Sequence, residues 1–376
     1  MTRAEAEAAH LPMAMPGVSP YTTLVPGGTL SRAEELLAEL RLDRSRAGGS
    51  LRGVLGSVPL EPLAPLDLLA LLFDTRRPQI FAESEVAGDG SDWSLAELSL
   101  LGDVSVAVPV TIFDDGAHRH PAVHASPFGG MLVFTAGALL NNGHGHTPAD
   151  WPEVVSSDGR VDPDGLLNLY RRRLVPVLRH IDAHAAGRHP ALVTVPGIGC
   201  GQFAGPFRGQ LAPLLEAVLR QLLHDHAKEW PNIRALHFDP YSQGSNSREQ
   251  IHGILFQVRP SRSGGNQPIP QLCPPPTYAA AEDDFSRCFL YSIVAWDHVS
   301  WPGNDFYIGS RCTDDGVKAA ATDAMAVITG VAGRYDPQRT QYLPPAPFRD
   351  WSGVVEERSR SHGLRLWNPA SVEVIG

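Results

Sequence analysis

Apolar positions in the first hundred residues recur at helical spacing between Pro/Gly turns. Ser31-Arg32-Ala33-Glu34 has the form of a capping box and predicts a short amphipathic helix through Leu42. Leu66 to Phe73 is a mostly apolar run closed by Asp74-Thr75, and Ser94 with Glu97 caps a further helix ahead of Leu98, Leu100 and Leu101. After Gly102 the pattern changes. Residues 104–110 alternate with β-branched side chains and predict a strand ending at Asp114-Asp115-Gly116, and Met131 to Ala136 predicts a second. Asp162-Pro163 is an N-cap with proline at the first helical position, and apolar residues from Leu166 to Ile181 carry that helix to a stop at Gly187, across Pro176. Ala191 to Val195 is a short buried strand. Leu211 to Leu223 is a strong helix with Pro213 in its first turn.

Ile233 to Phe238 and Ile251 to Val258 predict further strands, residues 261–282 a proline-rich loop, and Cys288 to Ala295 a last apolar strand. Val317 to Thr329 reads as one alanine-rich helix stopped by Gly330. Strands alternating with helices predict an α/β fold, a layered sheet with helices on both faces. The first hundred residues read as a helical cap, with a partner surface as the alternative.

Composition narrows the function. Glycine (36) and proline (33) together exceed the usual share, which predicts long shaped loops around a packed core. A formal charge of −10 argues against nucleic acid as a partner, because phosphate neutralisation needs Lys and Arg. No run approaches the length of a membrane span, so no membrane partner is expected. Residues 1–20 carry Glu5 and Glu7 where an export signal has a basic flank and an apolar run, so a cytoplasmic location is the expectation. The cysteines Cys200, Cys273, Cys288 and Cys312 show no CxxC spacing, which argues against a zinc knuckle or disulfide scaffold. His144 and His146 fit a solvated loop, and His180 and His184 an exposed helical face, better than a metal site; no metal or cofactor is expected.

Chemistry collects in two segments. The first, PGIGCGQFAG, follows a strand and leads into a helix: Gly197, Gly199, Cys200, Gly201, Gln202 and Phe203 form a glycine-rich loop whose backbone N–H groups can hold a diphosphate, with Phe203 as an aromatic wall. It lacks the Lys-Ser/Thr of a Walker loop and the acid placement of a Rossmann fingerprint. A tight turn that needs glycine is the competing reading. The second runs from Trp296 to Gly316. Asp297 ends a strand, Asn304-Asp305 sits on a turn, and Asp314-Asp315 opens a helix, so the three places can converge at one rim of the sheet. Helix capping and turn chemistry alone would also explain each acid.

Together these segments resemble the MavL-like divergent macrodomain ADP-ribosylarginine hydrolases, chiefly through AWDHVSWPGNDFYIGSRCTDDGVKAAATDAM, residues 295–325. The resemblance covers residues 101–335 and implies a three-layer α/β/α macrodomain-like mixed sheet, with residues 1–100 as a helical N-terminal extension and 101–376 as the hydrolase domain with its tail. It places the catalytic set on Asp297, Asp305 and Asp315, with Asn304 beside the middle one, and the ADP-ribose contacts on Gly197 to Phe203. The implied partner is an ADP-ribosylated protein, ubiquitin in the type member. The asparagine- and glycine-rich catalytic loop of ordinary macrodomains has no counterpart after Val110 or around Asn141-Asn142. Carboxylates suit an arginine-linked substrate, since they pair with guanidinium and stabilise oxocarbenium-like charge. Asp297 and Asp305 are assigned to the guanidinium and the attacking water, and Asp315 to the ribose and transition-state charge. A non-catalytic ADP-ribose reader and a Mg²⁺-dependent hydrolase are the competing functions.

Overall fold

The computed structural model describes residues 21–263 and 265–376; the segment read for an export signal lies outside them. Its strands are β1 (Thr22–Pro26), β2 (Ser105–Asp114), β3 (Val123–Ala136), β4 (Ala191–Pro196), β5 (Ile233–Asp239), β6 (Ser247–Ile251), β7 (Ile254–Val258), β8 (Phe289–Trp296), β9 (Arg334–Asp336), β10 (Gln341–Leu343) and β11 (Val372–Ile375). Nine of them form one mixed sheet in the order β11-β1-β2-β3-β8-β4-β5-β7-β6, and β9-β10 is a separate hairpin. The five strands β3, β8, β4, β5 and β7 are mutually parallel, so their C-terminal ends share one rim.

The helices are α1 (Gly27–Leu42), α2 (Gly49–Leu55), α3 (Pro65–Phe73), α4 (Ala82–Glu85), α5 (Leu95–Asp103), α6 (Trp151–Val154), α7 (Pro163–Ala185), α8 (Leu211–His226), α9 (Asp314–Ala320), α10 (Ala324–Thr329) and α11 (Trp351–His362). Alternation along the strands divides the core in two. Leu132, Phe134, Leu290 and Val294 point to one face, where they meet α1, α2, α3, α5, α9, α10 and α11. Met131, Val133, Tyr291 and Ile293 point to the other, against α7 and α8. The result is a three-layer α/β/α architecture around a mixed sheet, as expected.

Several elements differ from their sequence expectation for local reasons. α1 begins at Gly27, directly after β1, and not at the Ser31 box; Thr29, in its first turn, donates to Asp103 at the end of α5 (3.1 Å). The Ser94 box forms as read. Residues 251–258 are the turn and second strand of a hairpin: His252 and Gly253 both take positive φ (46° and 98°), the geometry a two-residue hairpin turn needs. Residues 317–329 hold two helices, because Asp323 accepts the Thr111 N–H of β2 (2.7 Å) and Thr322 bridges Ile112. The first hundred residues, read as helical, also supply β1 to the sheet.

Candidate functional site

At the shared rim, pairing of β4 with β8 stops at Thr194↔Ser292, while β3 stays paired to Trp296. Beyond that point β8 bonds side chains of α9 instead. Lys318 Nζ donates to the Ile293 carbonyl (2.7 Å), and Asp314 Oδ2 accepts the Ala295 N–H (2.8 Å). The start of α9 is thereby fixed against the strand end that carries Asp297.

The sequence motif closes on itself here. Asp297 Oδ1 accepts the N–H groups of Val299 (2.7 Å) and Ser300 (2.6 Å), and its Oδ2 accepts Asn304 Nδ2 (3.1 Å). Asp305 Oδ2 accepts the Cys312 N–H (2.8 Å), and its Oδ1 accepts the Thr313 hydroxyl (2.5 Å). Asp315 Oδ1 lies 2.7 Å from the same hydroxyl and accepts the Gly316 N–H (2.9 Å). Asp315 Oδ2 is buried without a hydrogen-bond partner. Burial, and then the charge of Asp297, push the Asp315 carboxyl well above the usual carboxylate range. Asp297, Asn304, Asp305 and Asp315 are 5%, 5%, 0% and 2% exposed, so the set is enclosed rather than open to solvent. Gly316 is a requirement of this approach: a Cβ there would fall 1.7 Å from Asp305 Oδ1.

Residues far away in sequence hold the cluster. Arg76, just after α3, lies over the rings of Trp296 (3.9 Å) and Phe73 (4.6 Å) and donates to the carbonyls of Leu101 (2.6 Å) and Ser300 (3.3 Å). Burial pulls its guanidinium down to about 9, still charged at neutral pH. Arg77 N–H donates to Val299 O, Trp301 N–H donates to Arg77 O, and Ile80 N–H donates to Asn304 Oδ1 (3.2 Å). That last bond leaves the Asn304 NH2 to face Asp297. Arg76, Ile80, Thr313 and Lys318 were not singled out from sequence; the residues 76–80 carry no pattern beyond two arginines after an apolar helix.

The glycine loop after β4 faces two ways. Gly199 takes φ +73°, and a Cβ on it would lie 2.7 Å from both Ala138 N and Tyr170 Oη. Its lack of a side chain is required by packing against the segment after β3. Cys200 points inward as well, its thiol buried and pushed up to about 12. Gly197 is partly exposed, and Gly201 and Gln202 are exposed. The Phe203 ring stands 6.1 Å from the fully buried His298, the residue after Asp297, so the loop and the acid cluster adjoin. His298 Nε2 lies 3.5 Å from Asp150, whose carboxylate Arg173 grips and holds well below its ordinary value despite burial.

A cavity of about 200 Å³ opens on the other side of the α9 start, lined among others by His118, Arg119, Asp239, Tyr241, Asp314 and Lys318. Neither the glycine loop nor Asp297, Asp305 or Asp315 lines it. The three Lys318 N–H donors are taken by Asp314 (3.0 Å), Gln271 Oε1 (3.0 Å) and Ile293 O. Among the described residues no group of three or more His, Cys, Asp or Glu is arranged to hold a metal ion. His180 and His184 bond Glu373 and Tyr291. No helix is long and apolar enough to cross a membrane among the described residues.

No curated protein matches the chain. Residues 21–348 match the family described as macrodomain effector MavL, a span that begins at β1 and takes in the N-terminal helices, wider at both ends than the 101–335 read from sequence. The chain belongs to the MavL family of macrodomain effectors, and with it to proteins of macrodomain-type, ADP-ribose-related activity and hydrolase potential.

Proposed function

We propose that the protein removes ADP-ribose from arginine side chains of a modified protein, with Asp297, Asp305 and Asp315 as catalytic carboxyls and Asn304 positioning Asp297. The observation that carries this reading is the convergence of a strand end, a turn and a helix start at the rim of the parallel strands: Asp305 and Asp315 share the Thr313 hydroxyl, and Asp297 bonds Asn304, the neighbour of Asp305. Hydrolysis forms a bond between water oxygen and the ribose anomeric carbon, breaks the carbon–nitrogen bond, and passes one water proton to the departing guanidine. Ionised carboxylates beside the anomeric carbon stabilise the oxocarbenium-like charge and accept that proton. The acid form of Asp315, which its burial favours, suits the ribose contact assigned to it from sequence, or a proton for the departing nitrogen, better than stabilisation of transition-state positive charge. The exposed Gly201 and Gln202 supply the outward face of the loop for the diphosphate.

Enclosure of the acids supports a second reading, a module that binds ADP-ribose without cleaving it. Turnover of ADP-ribosylarginine peptide and of ADP-ribosylated ubiquitin, with and without chelator, separates the readings. Release that is insensitive to chelator is expected. Binding without release establishes the reader, and chelator-sensitive release a metal enzyme.

A further inference from the structure

The Thr313 hydroxyl has one proton and two lone pairs. One lone pair receives the Gly316 N–H (3.1 Å), yet two carboxyl oxygens, Asp305 Oδ1 at 2.5 Å and Asp315 Oδ1 at 2.7 Å, both lie within hydrogen-bond distance. The hydroxyl can donate to only one of them. The other must carry a proton itself and donate to the remaining lone pair. Every partner of Asp305 is a donor: the N–H groups of Cys312 and Thr313 and this hydroxyl, a set that suits a carboxylate ion. Asp315 has a single backbone donor, the Gly316 N–H that it shares with Thr313, and its Oδ2 is buried and unpartnered. An ion there would be left bare, so the proton belongs to Asp315.

We infer that Thr313 is a positioning residue that shares one proton between Asp305 and Asp315, so that the pair works as one ionised and one protonated carboxyl. The inference rests on the hydrolase reading for its use in turnover, though not for its resting state. Asp315 O–H is the donor to the departing guanidine nitrogen, and Asp305 takes the water proton. A concerted return, Asp305 O–H to Thr313 Oγ1 and Thr313 O–H to Asp315 Oδ1, restores the starting form with no net gain or loss of protons. The titratable and charged groups around Asp315 are Asp297 at the end of β8, Asp305 and Tyr307 in the turn, and Asp314 and Lys318 on its own helix. Arg76 faces Asp297.

Difference infrared spectroscopy of the full chain at neutral pH, wild type against Asp315→Asn, reads the resting proton directly. A protonated-carboxyl band that disappears in the variant is expected; a wild type without one overturns the inference whether or not the protein is an enzyme. Thr313→Val then tests the sharing. Its kcat is expected to fall about 10–100-fold with KM little changed, the scale of losing a positioning partner, and the limb of the pH profile that reports Asp315 to move by about one unit. Thr313→Ser, which keeps the hydroxyl, should keep the wild-type pH dependence. If Thr313→Val merely melts earlier, as any lost helix cap would cause, and its profile is unmoved, the sharing is refuted while the hydrolase reading stands. If Asp305→Asn and Asp315→Asn both turn over normally, the hydrolase assignment falls instead.

Discussion

Replacing Asp315 by asparagine separates catalysis from structure through opposite signs. A carboxyl whose folded-state value is raised binds its proton more tightly folded than unfolded. Its contribution to stability is therefore full below about pH 4, the unfolded value, and is lost as pH rises toward the folded value. The loss runs at about 1.4 kcal/mol per pH unit across that window. Asparagine has no such loss. It does lose one bond, because its amide cannot both donate to Thr313 and accept from the Gly316 N–H as a carboxyl O–H does, at about 1 kcal/mol. The gain overtakes the cost once the carboxyl is raised by a single unit, and burial beside Asp297 raises it well beyond the ordinary range. Asp315→Asn should thus be more stable than wild type at neutral pH, by a difference that grows as pH rises above about 4, while turnover falls at least ~100-fold. Urea denaturation at several pH values, set beside release of ADP-ribose from an arginine substrate, measures both. If Asp315 only compensated the α9 dipole, the variant would be about 0.3–1 kcal/mol less stable and fully active. A variant less stable at neutral pH, or a stability difference flat with pH, refutes the argument.

Gly199→Ala should lower stability by about 2 kcal/mol or more, from positive φ plus contact with the Ala138 backbone, so it reports packing and not ligand approach. Gln202→Glu, at the exposed turn of the same loop, should leave stability within about 0.5 kcal/mol and weaken ADP-ribose binding about 3–10-fold at low salt, as calorimetry would detect; unchanged affinity removes the loop from the ligand. Arg76→Lys keeps the charge but loses the planar stack on Trp296 and part of the carbonyl set, and should cost about 1–3 kcal/mol together with turnover. Full activity in that variant would show that the N-terminal segment does not set the geometry of Asp297.

What the sequence disclosed and what it withheld divide along range. β2, β4, β8 and α7 were legible because strand alternation, an Asp-Pro start and a glycine or acidic stop are local signals. The acids were legible for a related reason: Asp297, Asp305 and Asp315 lie within one segment whose strand end, turn and helix start can be placed by eye. The break between α9 and α10 was not, because an alanine-rich stretch has no local reason to stop; the reason is the Thr111 N–H of β2, two hundred residues earlier. Gly199 shows a further limit of local reading. A glycine-rich turn after a strand fits both a phosphate and a backbone neighbour, and the approach of Ala138, which alone accounts for a glycine at this position, leaves no local signal. The same limit hid Arg76 and Ile80. Neither residue is unusual for its position, yet they reach the site across more than two hundred residues, and the Ile80 N–H fixes which way the Asn304 amide faces. An acid motif therefore identifies which carboxyls meet, but their protonation and aim are set by other groups, some outside the motif, as Arg76 and Ile80 are, and some inside it without standing out. For Asp315 the deciding group is a threonine two residues before it, ordinary as a helix cap until its single proton is counted against two carboxyls.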